Sequence, residues 1–580
     1  MIFGTAGLPW LKQLGAALFF LGAAWPLCAN QPSAGTEPAP GIKGSSVGGI
    51  GGYYRIGRCT PVTIRLENSG RDLEGRIQIR ISGDLYTQAV SLPSPSQKKL
   101  VMYVVPQEDL DELEIYLYSK GVQVKKFAPE IQRLSDEQIL TIVSSSLESH
   151  ALSNDDFPEQ ESREKIVFMD PGDLPESWKD YDAVNAVILS VSDATGLSSR
   201  QRKALSQWTL LGGRVNLVDR NMANVENPFG TGSGTRSDAN PSGFTSPRTS
   251  HGMGTFGTTD RSNGILFADE SAFTGYRSSI PDLDREIFHS ARVRDPFSRT
   301  YILWYVGLFL LLYTAAVALW LTNFRKSRWI KSWKLATIPA LALLFSFLSP
   351  WIGRTVNAGD TGIQQRSVIH VFANNADSFA INDYILLFPR QAQYRFDSAF
   401  SSALLVQAES GNGAQEITYE FIGSGTPSVA FDENLWNTRS ILLSYFTDKG
   451  SFLALHGPDA ITLANRSASP LKECRLIRKG VSTPIGPIGA GEKIQLNLTQ
   501  DVNAAHSPPV LSGTRSGMGI FPRVVATYRS ETNIGTMGDC VVCSLDESVA
   551  GLTSADTGLS YTGSTAVVFH LGTQSKGVNN

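Results

Sequence analysis

No cysteine occurs between residues 137 and 290; the five in the chain stand at positions 28, 59, 474, 540 and 543. Cysteine nucleophile chemistry is thereby excluded from that stretch, whatever fold it takes. Histidine is scarce as well. His150, His251 and His289 are scattered, and no His-x-x-x-His pair offers two imidazoles to zinc from one helical face. Nor does Gly-x-Ser-x-Gly stand between a strand and a helix; Gly232-Ser233-Gly234 lies in loose sequence with no strand before it. Charged residues are only 18% of the chain and the formal net charge is −3, which excludes a polycationic nucleic-acid binder. No cofactor motif is present.

What the chain does have is length, 580 residues, enough for three or four domains at roughly 150 residues each. It also has apolar runs. Lys12 precedes LGAALFFLGAAW, and Leu27-Cys28-Ala29 follows as a cleavage site, so residues 1–29 read as a secretory signal and 30–52 as a linker rich in Pro, Gly and Ser. Tyr301–Thr322 is 22 residues without a charge, roughly 33 Å as a helix and long enough to cross hydrocarbon. Leu335–Ile352 is shorter, 18 residues, and still adequate. Trp304, Tyr305, Trp320, Trp333 and Trp351 sit towards the ends of these runs, where aromatic belts form. Between them NFRKSRWIKSWK (323–334) carries five cations and no acid. So basic a loop stays in the cytoplasm, which places both flanking segments outside a bacterial inner or plasma membrane.

The exported parts read mainly as β. Residues 53–130 alternate in VTIRLENSG, RIQIRIS and ELEIYLYS between polar turns, the pattern of an immunoglobulin-like sandwich. Its acidic stretch, Glu108 to Glu114, reads as a solvated face. Residues 366–440 read as a β domain, and 441–580 as a second immunoglobulin-like module, because AITLANRSASPLKECRLIRKG follows the plan of VTIRLENSGRDLEGRIQIR.

Residues 137–290 change character. ILTIVSS, KIVFMD, AVNAVILS and GRVNLVD are apolar runs of the sort found in a parallel sheet covered on both faces. SSRQRKALSQWTLLGG between the last two predicts a helix: Ser198 and Gln201 form a capping box, Leu205, Trp208 and Leu211 share a face, and Gly212-Gly213 ends it. The reading is a small doubly wound α/β domain. Residues 226–262, rich in Gly, Ser, Thr and Asn, read as a flexible loop, with a further strand in SNGILFADESAF.

GYYRIGRCTPVTIRLENSG, YDAVNAVILS…LSSRQRKALSQWTLLGGRVNLV and AITLANRSASPLKECRLI resemble bacterial membrane proteins of the glutamine amidotransferase-like (class I) family. The resemblance implies an exported β domain beside a flavodoxin- or amidotransferase-like α/β domain at the membrane. It brings no activity, since the catalytic cysteine of that family is missing here.

Ligands of open α/β sheets gather at the carboxyl ends of the strands. Asp170, Ser190, Asp193 and Asp219 hold those positions, as pocket rim or as caps of helices and turns. Cys540-Val-Val-Cys543 favours a strand, which separates the two by roughly 10 Å, too far for a disulfide. Either the segment turns, or one of the pair meets Cys474. The sequence thus predicts a non-enzymatic, two-span envelope scaffold that partners a membrane or envelope protein, such as a transport complex. The rivals are binding of a small ligand or glycan at the strand ends, and a hydrolase with an unrecognised site.

Overall fold

The computed structural model describes residues 41–135, 137–147, 164–219, 248–251, 254–260 and most of 362–571, with single helical positions at 287–288 and between 307 and 318. Strands dominate, with few helices. The expected signal peptide, the 323–334 loop, nearly all of the two apolar runs and the SNGILFADESAF strand lie outside the described residues. Among the described residues no helix is long and apolar enough to cross a membrane.

Two eight-stranded sheets are shared between distant parts of the chain. In one, Asp84–Leu92 runs parallel to Ile417–Ile422, with Leu85 opposite Thr418 and Gln88 opposite Phe421. Tyr86 and Tyr419 stack across that joint at 4.7 Å. In the other, Gly362–Phe372 runs parallel to Ser560–His570 along its whole length. The boundary expected at 440/441 is therefore corrected: Gly362–Phe372, Ser378–Phe388, Leu404–Glu409 and Asn437–Thr447 share one sheet with Lys472–Arg478, Val481–Pro484, Cys540–Leu545 and Ser560–His570.

The N-terminal strands follow their sequence pattern. In Leu73–Ile81 (LEGRIQIRI), Ile77, Ile79 and Ile81 are buried while the residues between them face outward. A three-stranded sheet, Ile42–Gly48, Thr60–Asn68 and Ser96–Val104, packs over that face, so Val62, Ile64 and Met102 meet Ile77 and Ile79 in one core. Burial of each such side chain is worth about 1.5–3 kcal/mol. The linker expected over 30–52 is corrected here. Ile42–Gly48 is a strand, antiparallel to Thr60–Asn68. Its small residues gave no apolar signal, and backbone pairing holds it.

The third large sheet runs in the order Glu164–Met169, Ile139–Ser144, Ala186–Ser190, Arg214–Asp219, Gly254–Asp260, Arg248–His251. Its first five strands are parallel and the last is antiparallel. The last two strands lie inside the segment expected to be a loop, a second correction. Helix Ser199–Leu210 forms as its spacing predicts, with the complete Ser198/Gln201 capping box and Leu205, Trp208 and Leu211 buried. Gly212, at φ +121°, turns the chain out of the helix. Trp208 packs on Tyr181 at 5.3 Å.

Candidate functional site

Parallel strands put their carboxyl ends on one side of the sheet, and three of the four candidate residues meet there. Asp193 Oδ2 accepts hydrogen bonds from Ser144 Oγ at 2.7 Å and Ser146 Oγ at 2.5 Å. Ser190 Oγ accepts from the Asp193 backbone N–H at 3.0 Å and caps the short helix Val191–Gly196. Asp170, at the end of the next strand, accepts from Ser145 Oγ. Asp219 closes Arg214–Asp219 with its backbone opposite Asp260; its side chain lies outside the described residues.

The electrostatics follow from these contacts. Burial pushes the Asp193 carboxyl upward, but the donors Ser146, Ser190 and Ser144 outweigh it and hold the group below the usual carboxylate range. A carboxylate kept ionised by hydroxyl donors is a poor general base near neutral pH. The hydroxyls of Ser144, Ser145 and Ser146 each donate to an aspartate, not to a histidine that could activate them. Among the described residues no group of three His, Cys, Asp or Glu side chains is arranged to hold a metal. The strand ends therefore form a self-satisfied network.

Beside this network lies a cleft of about 880 Å³. One wall is the outer face of the three-stranded sheet, the other is the segment from Phe168 to Asp180. Asp170 belongs to its rim. At the floor Tyr103 donates to Asp180 Oδ2 at 3.4 Å, and Asp180 is only 7% exposed. Desolvation pushes the Asp180 carboxyl up to about 7 despite the opposing pull of Lys179. Lys179 is itself buried, its Nζ 4.1 Å from the Tyr103 ring centre and donating to the Ala403 carbonyl at 3.2 Å. Burial lowers its pKa. Tyr103, Lys179 and Asp180 were not singled out in sequence: Tyr103 sits in a β-rich run, and nothing local marks Lys179 and Asp180 as buried. The signal was present in the aromatics: Trp178 and Tyr181, three apart, pin one turn of 3₁₀ helix into the core.

The same turn is clasped from the first β module. Buried Arg55 donates to the carbonyls of Ala183 at 3.2 Å, Ser135 at 2.7 Å and Gln138, and to Asn185 Oδ1 at 3.0 Å. Arg58 pairs with Asp182 at 3.4 Å, and the Cys59 N–H donates to the same carboxylate at 2.7 Å. The arginines of GYYRIGRCTP are thus an interdomain clasp. At the other end of the chain Cys474 and Cys543 form a disulfide, while Cys59 and Cys540 are buried and take no part in it. Cys540–Leu545 is extended, so the two cysteines of Cys-Val-Val-Cys stay apart.

Residues 41–132 match a family described as a domain of unknown function, DUF8726. No curated protein matches the chain. Among solved structures it is similar to the CARDB domain of a Pyrococcus furiosus protein in complex with di-metal ions, at 14% identity, covering 16% of this chain and 91% of that one, with a TM-score of 0.14. It is also similar to the yeast delta-COP-I mu-homology domain complexed with a Dsl1 peptide, at 10% identity, over 36% of this chain and 96% of that one, with a TM-score of 0.20.

Proposed function

We propose that the chain is a non-enzymatic, membrane-anchored interaction protein of a bacterial cell envelope, with both folded flanks outside the inner or plasma membrane. Its partner is an envelope or transport complex. The observation that carries this reading is the parallel ladder between Asp84–Leu92 and Ile417–Ile422. Two strands cannot pair through a bilayer, so any crossing between them must be matched by a return. Two apolar runs around a loop with five cations meet that condition.

The finer fold reading belongs to the same proposal. The sheets enclosing Val62 and Ile77 are read as an immunoglobulin-like sandwich, and the five parallel strands as a doubly wound, amidotransferase-like domain. The Ser144–Ser146–Asp193 network supports a scaffold role, because groups that satisfy one another offer little to a substrate. The resemblance to glutamine amidotransferase-like proteins contributes fold and location, and no reaction.

Protease added to intact spheroplasts tests the topology. Both large flanks should be degraded, and a reporter inserted in 323–334 should read as cytoplasmic. Protection of either flank would sink the proposal. Crosslinking in intact membranes should then recover an envelope protein.

A further inference from the structure

The cleft beside the strand ends carries an inference that does not depend on membrane topology. We propose that it binds a short zwitterionic peptide, with the carboxylate toward Lys99 and the ammonium toward Asp180. Three observations converge on that chemistry.

The first is a buried carboxylate with no cation in contact: Lys179 and Lys99 act on it only at longer range. Asp180 lines the cleft, is 7% exposed, and has no ion-pair partner within 4.0 Å among the described residues. Its neighbours are the hydroxyl of Tyr103 at 3.4 Å and the 3₁₀ turn that begins at Ser177. The adjacent Lys179 turns away toward Ala403. A buried carboxylate in this position is costly unless a cation reaches it. An incoming ammonium supplies one.

The second is a cation at the opposite end. Lys99 lines the same cleft, is exposed, and likewise has no ion-pair partner among the described residues. Its neighbour Arg65 is engaged with Asp173 at 3.6 Å. Of the other acids on the loop wall, Asp170 accepts from Ser145 and Glu176 pairs with Arg200 at 3.5 Å. Lys99, which acts on Asp180 without touching it, is thus the lining cation without a contact ion pair and can swing to a ligand anion.

The third is spacing. Lys99 and Tyr103 lie on one strand, both facing the cleft, four residues and about 13 Å apart. Between them Val47, Thr63 and Val101 form an uncharged row on the sheet, faced by Leu174 and Pro175. An extended tripeptide spans about 10 Å, and the lysine side chain covers the remainder. The volume of about 880 Å³ is in the range of small-ligand clefts. The cleft thus has two charged ends and an uncharged middle.

Isothermal titration of the purified full-length chain with trialanine tests this, against N-acetyl-trialanine and trialanine amide. Trialanine should bind, and each blocked peptide should bind about tenfold more weakly, the loss of one charge-assisted contact. Lys99→Ala is a surface change that leaves the fold intact. It should weaken trialanine about tenfold and leave the amide unaffected. Asp180→Asn, with folding checked by thermal melting, should abolish the preference for a free amine. Equal binding of doubly blocked trialanine, or no heat up to about 10 mM, overturns the proposal.

Discussion

Asp180 sets a pH dependence of its own. The carboxyl ionises near 4 in the unfolded chain and near 7 in the fold, because burial disfavours the charge. Its folded pKa is raised, so stability is full below about pH 4, falls as pH rises toward 7, and is flat above. Asp180→Asn removes that loss. The variant should melt close to the parent at pH 4 and above it at pH 8, by as much as ~4 kcal/mol. Thermal melts at the two pH values check this; equal shifts at both would mean that the carboxyl is not the cause. Asp193 has the opposite sign. Its folded pKa lies below the usual range, so its contribution is present above the unfolded value and is lost as pH falls through the folded one. Asp193→Ala removes the carboxylate acceptor of the buried Ser144 hydroxyl, leaving it only Ser146, and should cost about 1–3 kcal/mol at neutral pH, read by urea denaturation. Part of this was legible in sequence: a strand-end aspartate after an apolar run is a position with a role. Which role was not legible, since Ser144 and Asp193 are 49 residues apart and meet only through the sheet.

Elements were legible where periodicity and caps agreed. Helix Ser199–Leu210 had both, and its apolar face and glycine stop are where the spacing puts them. The stop is also a packing device. A Cβ on Gly213 would lie 2.3 Å from Trp208 Cδ2, so the indole that seals the helix against Tyr181 leaves no room for one. Gly213→Ala must displace that ring and should cost at least ~2 kcal/mol, measurable as a lowered denaturation midpoint. Ser198→Ala, which opens the capping box without touching the core, should cost about 1 kcal/mol. The ordering of the two variants is the diagnostic outcome. Gly254–Asp260 was not legible. GTFGTTD has one large apolar side chain, and its place beside Arg214–Asp219 is a matter of backbone ladder rather than of side-chain pattern. Ile42–Gly48 escaped detection for the same reason.

At the scale of the whole molecule, sequence reading divides the chain into modules in order, and the fold does not respect that order. Pairing of strands more than 300 residues apart leaves no trace in local periodicity, because each strand shows only which face it buries, not which neighbour it has. The joint has a consequence for cooperativity. Val62, Ile77 and Leu100 belong to one continuous core with Tyr384, Phe396 and Leu443. A core shared in this way should unfold as one unit. Tyr419 is 4% exposed and stacks on Tyr86 across the joint, so Tyr419→Ala removes a large buried ring from the interface. The loss should be about 3–5 kcal/mol. It should appear on both sides, as faster hydrogen exchange in Asp84–Leu92 and Leu73–Ile81 as well as in Ile417–Ile422. Exchange that quickens only around residue 419, with the N-terminal strands unchanged, would mean that the modules are energetically separate after all. The same result would remove the main support for one extracytoplasmic body, because only an energetically coupled ladder obliges the two flanks to share a compartment.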